Sequence, residues 1–257
     1  MRALLHQQWT CYKLQLKVLS TSAFEGFLAV LFPLMFASAA LLIYRVQDDP
    51  ESMQYAGLGA AIMGMWTAQG VVAASMLSRE RWAGTLELVV ASPAGLGRVL
   101  VPATLAMSTI GLYCVVATIA WERWVFDLRL EISSWPLFVL SVLLTALTLA
   151  LVGYFIAVTT TRYRYSGTLG AALEYPGWIL CGFLIPVASL PAVLQPLSWA
   201  IPTTWGMAAI RSSADGGSPW GDLAACAATG AVYAVLAAWL GSRLVESARR
   251  HATLALT

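Results

Sequence analysis

Ile132-Ser-Ser-Trp-Pro-Leu-Phe-Val-Leu-Ser-Val-Leu-Leu-Thr-Ala-Leu-Thr-Leu-Ala-Leu-Val-Gly-Tyr-Phe-Ile-Ala-Val-Thr-Thr-Thr161 runs for 30 residues without a charge. As a helix it is apolar on every side and has no face to offer water. At about 1.5 Å per residue it exceeds the roughly 30 Å hydrocarbon layer of a bilayer. Working outward, five more uncharged runs follow the same pattern: Gly26 to Tyr44 (19 residues), Ser52 to Ser78 (27), Val99 to Trp121 (23), Tyr175 to Ile210 (36) and Leu223 to Ser242 (20). Across the 257 residues, 59% are apolar and only 11% charged, with a mean hydropathy of +0.74. A soluble domain needs roughly 25% charge to coat its surface. The expected fold class is therefore an all-α membrane protein. A β-barrel would instead show alternation over segments of about ten residues.

Six spans are expected, at 26–44, 53–77, 99–121, 135–160, 166–186 and 223–243, forming one transmembrane domain (23–257) after an interfacial helix (1–22). The 36-residue run would make about 54 Å of helix, far more than a bilayer needs. Pro176, Pro186, Pro191, Pro196 and Pro202 interrupt it. The expected solution is one span ending near Pro186, then broken re-entrant helices over 188–212 that dip back into the membrane before the last span. Such backbone must be covered by protein or line a cavity. Ala37-Ser38-Ala39 has the form of a signal-cleavage site, but the apolar run continues past it to Tyr44 and five more spans follow, so it is read as membrane-spanning.

The cationic side chains orient the chain. Arg2, Lys13, Lys17, Arg79, Arg81, Arg98, Arg162, Arg164, Arg243, Arg249 and Arg250 fall on one side, and only Arg45, Arg123, Arg129 and Arg211 on the other. The positive-inside bias places both termini in the cytoplasm. Asp48, Asp49, Glu51, Glu122, Asp127, Glu131, Asp215 and Asp222 fall in the outer segments. Two lysines against thirteen arginines, with abundant alanine, point to a GC-rich bacterial genome, and the expected location is a bacterial plasma membrane. Cys11, Cys114, Cys181 and Cys226 have no metal-ligand spacing and read as packing residues. Nothing resembles a nucleic-acid surface.

Two cytoplasmic pieces carry pattern. In the N-terminal segment Leu5, Trp9, Tyr12, Leu16 and Leu19 recur at helical spacing opposite His6, Thr10, Lys13 and Lys17, which describes an amphipathic helix on the inner leaflet. It serves either as a plain anchor or as a lever to a cytoplasmic partner. Between spans two and three, Gly84 breaks the chain, Thr85 caps a new helix, Glu87 sits in its first turn, and Ser92-Pro93 ends it. About two turns with apolar Leu86, Val89 and Val90 facing the cytoplasm either lie on the membrane or meet a protein.

Arg79-Glu-Arg-Trp-Ala-Gly-Thr-Leu-Glu-Leu-Val-Val-Ala-Ser-Pro93 resembles the signature stretch of the type-2 family of ATP-binding-cassette exporter permeases. Gly182-Phe-Leu-Ile-Pro186, Leu190-Pro191, Ile201-Pro-Thr-Thr204 and Ala209-Ile-Arg211 are similar to that family's looser second block. Val89 stands where leucine is usual, and Ser92 where threonine is common. The resemblance implies a coupling helix at 85–91 that docks on ATPase subunits, two per complex, with Glu80, Arg81, Gly84, Thr85, Leu86, Glu87 and Leu88 making the connection. It further implies that a second copy or a homologous permease completes the pore, with a drug, antibiotic or lipid as cargo, or a lipid-linked glycan. The chain has no GxxxxGK[ST] phosphate loop. No cofactor is expected on it, and ATP and Mg belong to the partner subunit.

Polar groups inside the spans are the candidates for a translocation path. Glu174 lies about two turns into the fifth span, where it faces a cavity, pairs with Arg162 or Arg164, or holds a proton. Thr67 and Gln69 on the second span and Tyr154 on the fourth are expected to add polar lining. Gly57, Ala60, Ala61 and Gly64 give small-xxx-small spacing, which suits close helix packing and a dimer seam. A proton-coupled secondary transporter is the alternative reading. An enzyme finds little support, since His6 and His251 lie at opposite ends of the chain.

Overall fold

The computed structural model describes residues 2–21, 23–45, 50–82, 84, 97–160 and 166–251. The described residues form helices joined by irregular segments, with no strand among them. The helices are α1 (Arg2–Thr21), α2 (Ala23–Arg45), α3 (Pro50–Trp82), α4 (Gly97–Val125), α5 (Trp135–Thr160), α6 (Ser166–Leu180), α7 (Gln195–Trp199), α8 (Pro202–Ala214) and α9 (Trp220–His251). A single 3-10 turn, Val187–Ser189, stands between α6 and α7. Three of these helices contain stretches long and apolar enough to cross a membrane, Gly97–Val125, Trp135–Thr159 and Trp220–Leu244, and Leu31–Arg45 is a shorter apolar one.

The decisive run of sequence becomes α5. Along it Val142, Ala146, Leu149 and Ala150 are buried, while Val139, Leu143 and Leu147, each four residues on from the last, are exposed. An apolar exposed row is unstable in water and natural in lipid, where hydrocarbon is the solvent on that face. α9 repeats the pattern, exposing Val232, Val235, Leu236 and Trp239 while burying Cys226 and Ala237.

α3 is the axle, packed against α2, α4, α5, α6 and α8. Its Ile62, Met65 and Trp66 join Val115, Phe138, Val142, Leu149, Trp178, Phe183, Met207 and Ile210 in the main core. Trp66 meets Phe183 edge-on at 6.1 Å, and Phe36 meets Trp178 at 4.7 Å. A second cluster, Leu100, Ala103, Tyr154, Ala157, Val158 and Ala237, ties α4, α5 and α9 together. The small residues of α3 are used inside the chain: Gly64 faces Pro33 of α2, and Ala60 packs with Ala37 and Ala40. Buried in this way, Gly57, Ala60, Ala61 and Gly64 are unavailable for a seam between copies, which corrects that part of the sequence expectation.

Several helix ends differ from the expected bounds. α3 continues to Trp82 and α4 to Val125. α6 stops at Leu180 rather than reaching Pro186, because Gly182 turns the chain with φ +73°, a conformation that glycine adopts without strain. Fifteen residues of helix span only about 22 Å. After the turn, Pro186, Pro191, Pro196 and Pro202 punctuate the short pieces that lead to α8. α1 lies against α4, where the Gln8 side-chain amide donates to the Arg98 carbonyl at 3.2 Å and Tyr12 bonds Thr109 at 2.8 Å.

One contact fixes how closely the turn sits on the axle. A Cβ built on Gly59 would lie 1.8 Å from the Phe183 carbonyl oxygen, so the loop backbone rests directly on the helix. Gly59→Ala is expected to lower stability by about 1–3 kcal/mol through overpacking. Gly221→Ala, where a Cβ meets nothing within 4 Å, is the control and is expected to be neutral or mildly stabilising. Thermal unfolding of the detergent-solubilised protein compares the two, and equal melting temperatures would sink the assignment.

Candidate functional site

The polar residues expected to line a path separate into different roles. Thr67 of α3 and Glu174 of α6 do come together, the threonine hydroxyl donating to Glu174 Oε1 at 2.6 Å. Glu174 is half-buried there; Arg162 and Arg164, the alternative partners, lie outside the described residues. Gln69 is a cross-brace: fully buried, it donates from Nε2 to the Thr104 carbonyl at 3.1 Å and receives the Ser108 hydroxyl at 3.5 Å. Ser108 also reaches the Ala146 carbonyl at 2.9 Å, so this set of bonds links α3, α4 and α5. Tyr154 sits in the second core cluster, its hydroxyl 2.9 Å from where a Cβ on Gly97 would stand. Gln69 and Tyr154 are thus packed between helices in this conformation.

Among the coupling residues, Glu80 and Arg81 belong to the last turn of α3. Gly84 is an exposed turn with φ +70°, which supplies the break that the sequence requires. Thr85, Leu86, Glu87 and Leu88 lie outside the described residues.

Two polar centres were not singled out from sequence. The first is Arg211 on α8. Its Nη1 donates to the Gly182 carbonyl at 2.7 Å and its Nη2 to the Phe183 carbonyl at 2.9 Å and the Tyr55 carbonyl at 3.5 Å. The guanidinium also lies 3.3 Å from the centre of the Tyr55 ring, whose hydroxyl bonds the same Gly182 carbonyl at 3.0 Å. Tyr44 of α2 caps the Leu184 carbonyl at 2.5 Å. One cation and two tyrosines therefore satisfy three consecutive carbonyls of the non-helical turn after α6. Its presence in the motif Ala209-Ile-Arg211 was the only sequence signal.

The second is Glu122 on α4, fully buried although it was assigned to an outer loop. Neither of its carboxylate oxygens has a hydrogen-bond partner, and the Thr118 hydroxyl one turn earlier is equally unpartnered. Close by, the loop after α4 opens a cleft of about 850 Å³ lined by Tyr44, Arg45, Glu51, Asp127, Leu128, Arg129, Glu131 and Asp215, among others. Gln54 and Glu131 clamp one wall reciprocally, side-chain amide to carbonyl and backbone amide to side-chain oxygen, each at 3.2 Å.

A family model described as "ABC-2 type transporter" matches residues 6–214. The match takes in α2 to α6, the turn at Gly182 and α8 with Arg211. No curated protein matches the chain.

Arg211→Lys keeps the charge but replaces a planar fork with a point donor. It is expected to cost about 1.5–3 kcal/mol, the range for a charged hydrogen bond, and to speed hydrogen exchange at 181–185. Exchange mass spectrometry reads this directly. Exchange at wild-type rates in that turn would show that Arg211 does not hold it.

Proposed function

The chain belongs to the ABC-2 type transporter family, and from that membership we propose that it is the transmembrane permease subunit of an ATP-driven exporter. It is a multi-pass membrane protein and a membrane component of an ABC-type transporter, which works with an ABC ATPase. The observation that carries the proposal is the family match over residues 6–214, supported by the lipid-exposed rows on α5 and α9.

In this reading the chain crosses a bacterial plasma membrane six times with both termini in the cytoplasm, as the arginine and lysine distribution favours. Two permease chains, identical or homologous, enclose the pore, and each takes one ATPase subunit at the segment 85–91. ATP and Mg bind the ATPase, since the permease sequence has no phosphate loop. Closure of the ATPase pair pushes on this segment. Gly84, the turn that ends α3, is the point where the push enters the axle, and α3 carries it to the far end of the bundle. Thr67 with Glu174 offers a polar pair on the way. The exported cargo is lipophilic, in keeping with the apolar walls of the helices.

Affinity purification from the native host in mild detergent is expected to bring down an ATPase equimolar with the permease. Glu87→Ala and Gly84→Pro are expected to leave the permease inserted while lowering transport-coupled ATP hydrolysis about tenfold, equivalent to about 1.4 kcal/mol of coupling. Unaltered hydrolysis and transport in both variants would remove the segment 85–91 from the coupling route, and absence of an ATPase under several detergents would remove the exporter reading.

A further inference from the structure

We propose that the Glu122 carboxylate, with the Thr118 hydroxyl beside it, binds the cationic group of the cargo, an amine or onium carried on an apolar body. This names the substrate class of the exporter and rests on that reading.

Glu122 and Thr118 are four residues apart on α4 and so share one face. Both are fully buried, and all three of their side-chain oxygens lack partners. An ionisable group buried without a partner is costly, and in a membrane bundle a functional role is its default reading. Arg123 pairs with Asp127 and Arg211 is spent on backbone carbonyls, while Arg45 and Arg129 lie on the cleft lining and make no bond to the Glu122 oxygens. Glu174 does not share this state, because Thr67 already donates to it.

Gly57 of α3 brings bare backbone close to the carboxylate and to two leucines. A Cβ there would stand 3.2 Å from Glu122 Oε2, 2.8 Å from Leu128 Cδ2 and 3.5 Å from Leu130 Cδ2. The carboxylate therefore faces an apolar wall of two leucines and a bare helix backbone, which suits an apolar body around a charge. Calcium or magnesium is not suited, since each asks for six or more oxygens.

Leu128, which packs against Gly57 as the carboxylate does, also lines the 850 Å³ cleft. Four acids on the cleft lining, Glu51, Asp127, Glu131 and Asp215, outnumber Arg45 and Arg129. A concave surface of one net sign concentrates ions of the other. Leu128 and Leu130 stand on the irregular segment between α4 and α5, where a side chain moves without breaking a helix. The acid beneath and the acidic cleft above thus favour the same charge along one route.

The test measures binding of tetraphenylphosphonium to the purified permease–ATPase complex in a neutral glycoside detergent, with triphenylphosphine oxide as the uncharged control. Glu122→Gln, which keeps size and removes charge, is expected to weaken the phosphonium at least tenfold and leave the oxide unchanged. Thr118→Val is expected to weaken the phosphonium severalfold, and it decides alone should the glutamine variant not fold. Equal binding of the phosphonium by the folded variants, or none by the wild type, overturns the assignment. Titrating phosphatidylethanolamine into the same assay separates two sources of the cation. Competition identifies a lipid amine as cargo, and no competition identifies a freely soluble organic cation. Whether the ATPase accompanies the permease is scored on the same preparations, so failure of the exporter reading and failure of the Glu122 site are distinguishable.

Discussion

The Arg211 guanidinium, gripping the carbonyls of Gly182 and Phe183, is the interaction on which the rest of the bundle depends. Where α6 ends, the chain leaves helical geometry while still packed among apolar helices, and its carbonyls lose their intrahelical donors. In a soluble protein water would replace them; beside lipid, an unpaired carbonyl costs several kcal/mol. Arg211, Tyr55 and Tyr44 supply the donors from three different helices. The turn is therefore a junction at which α2, α3, α6 and α8 are held to one another by polar bonds, and Gly59 lets it settle onto α3 without a side chain between them.

That junction explains why α3 is the axle. Helices in lipid gain little from burying apolar surface against one another, because hydrocarbon is as good a solvent as leucine, so close packing and polar bonds decide which faces meet. α3 offers both. Its small residues admit Pro33 and the Phe183 backbone, while Thr67 and Gln69 make bonds to α6 and α4 that have no competitor in the membrane. Gln69 and Tyr154 looked like pathway residues because a polar side chain in an apolar run signals either use. Whether it braces or lines is decided by what stands opposite. For Gln69 the Thr104 carbonyl and Ser108 hydroxyl stand there, and for Tyr154 the closely packed Gly97 and Gly241.

The helical, membrane-embedded character was legible from composition and from the uncharged runs, since those follow from the solvent itself. The breaks at Pro186, Pro191 and Pro202 were legible because proline acts through its own ring. The end of α6 was not: glycine permits a left-handed turn without demanding one, so nothing in Cys181-Gly182-Phe183 told that the helix would stop six residues before Pro186. Arg211 and Glu122 were not singled out for a common reason. Both lie where a span gives way to a loop, and a charge near a membrane interface is ordinary. Only the return of the loop across the helix ends buries them, and that is a tertiary event with no local signature.

An acid and an arginine so placed would ordinarily neutralise each other. Here Tyr55 contacts Arg211 and Gly57 faces Glu122, two residues apart on α3 and so about 200° apart around its axis. The axle keeps the two charges on opposite sides. The cation is satisfied by carbonyl dipoles that need a donor, and the acid is left to the apolar wall of Leu128 and Leu130. A salt bridge between them would take the guanidinium from the Gly182 and Phe183 carbonyls and leave the turn after α6 without its donor. The isolation of Glu122 is in this sense a product of the architecture, with α3 standing between the acid on α4 and the cation on α8.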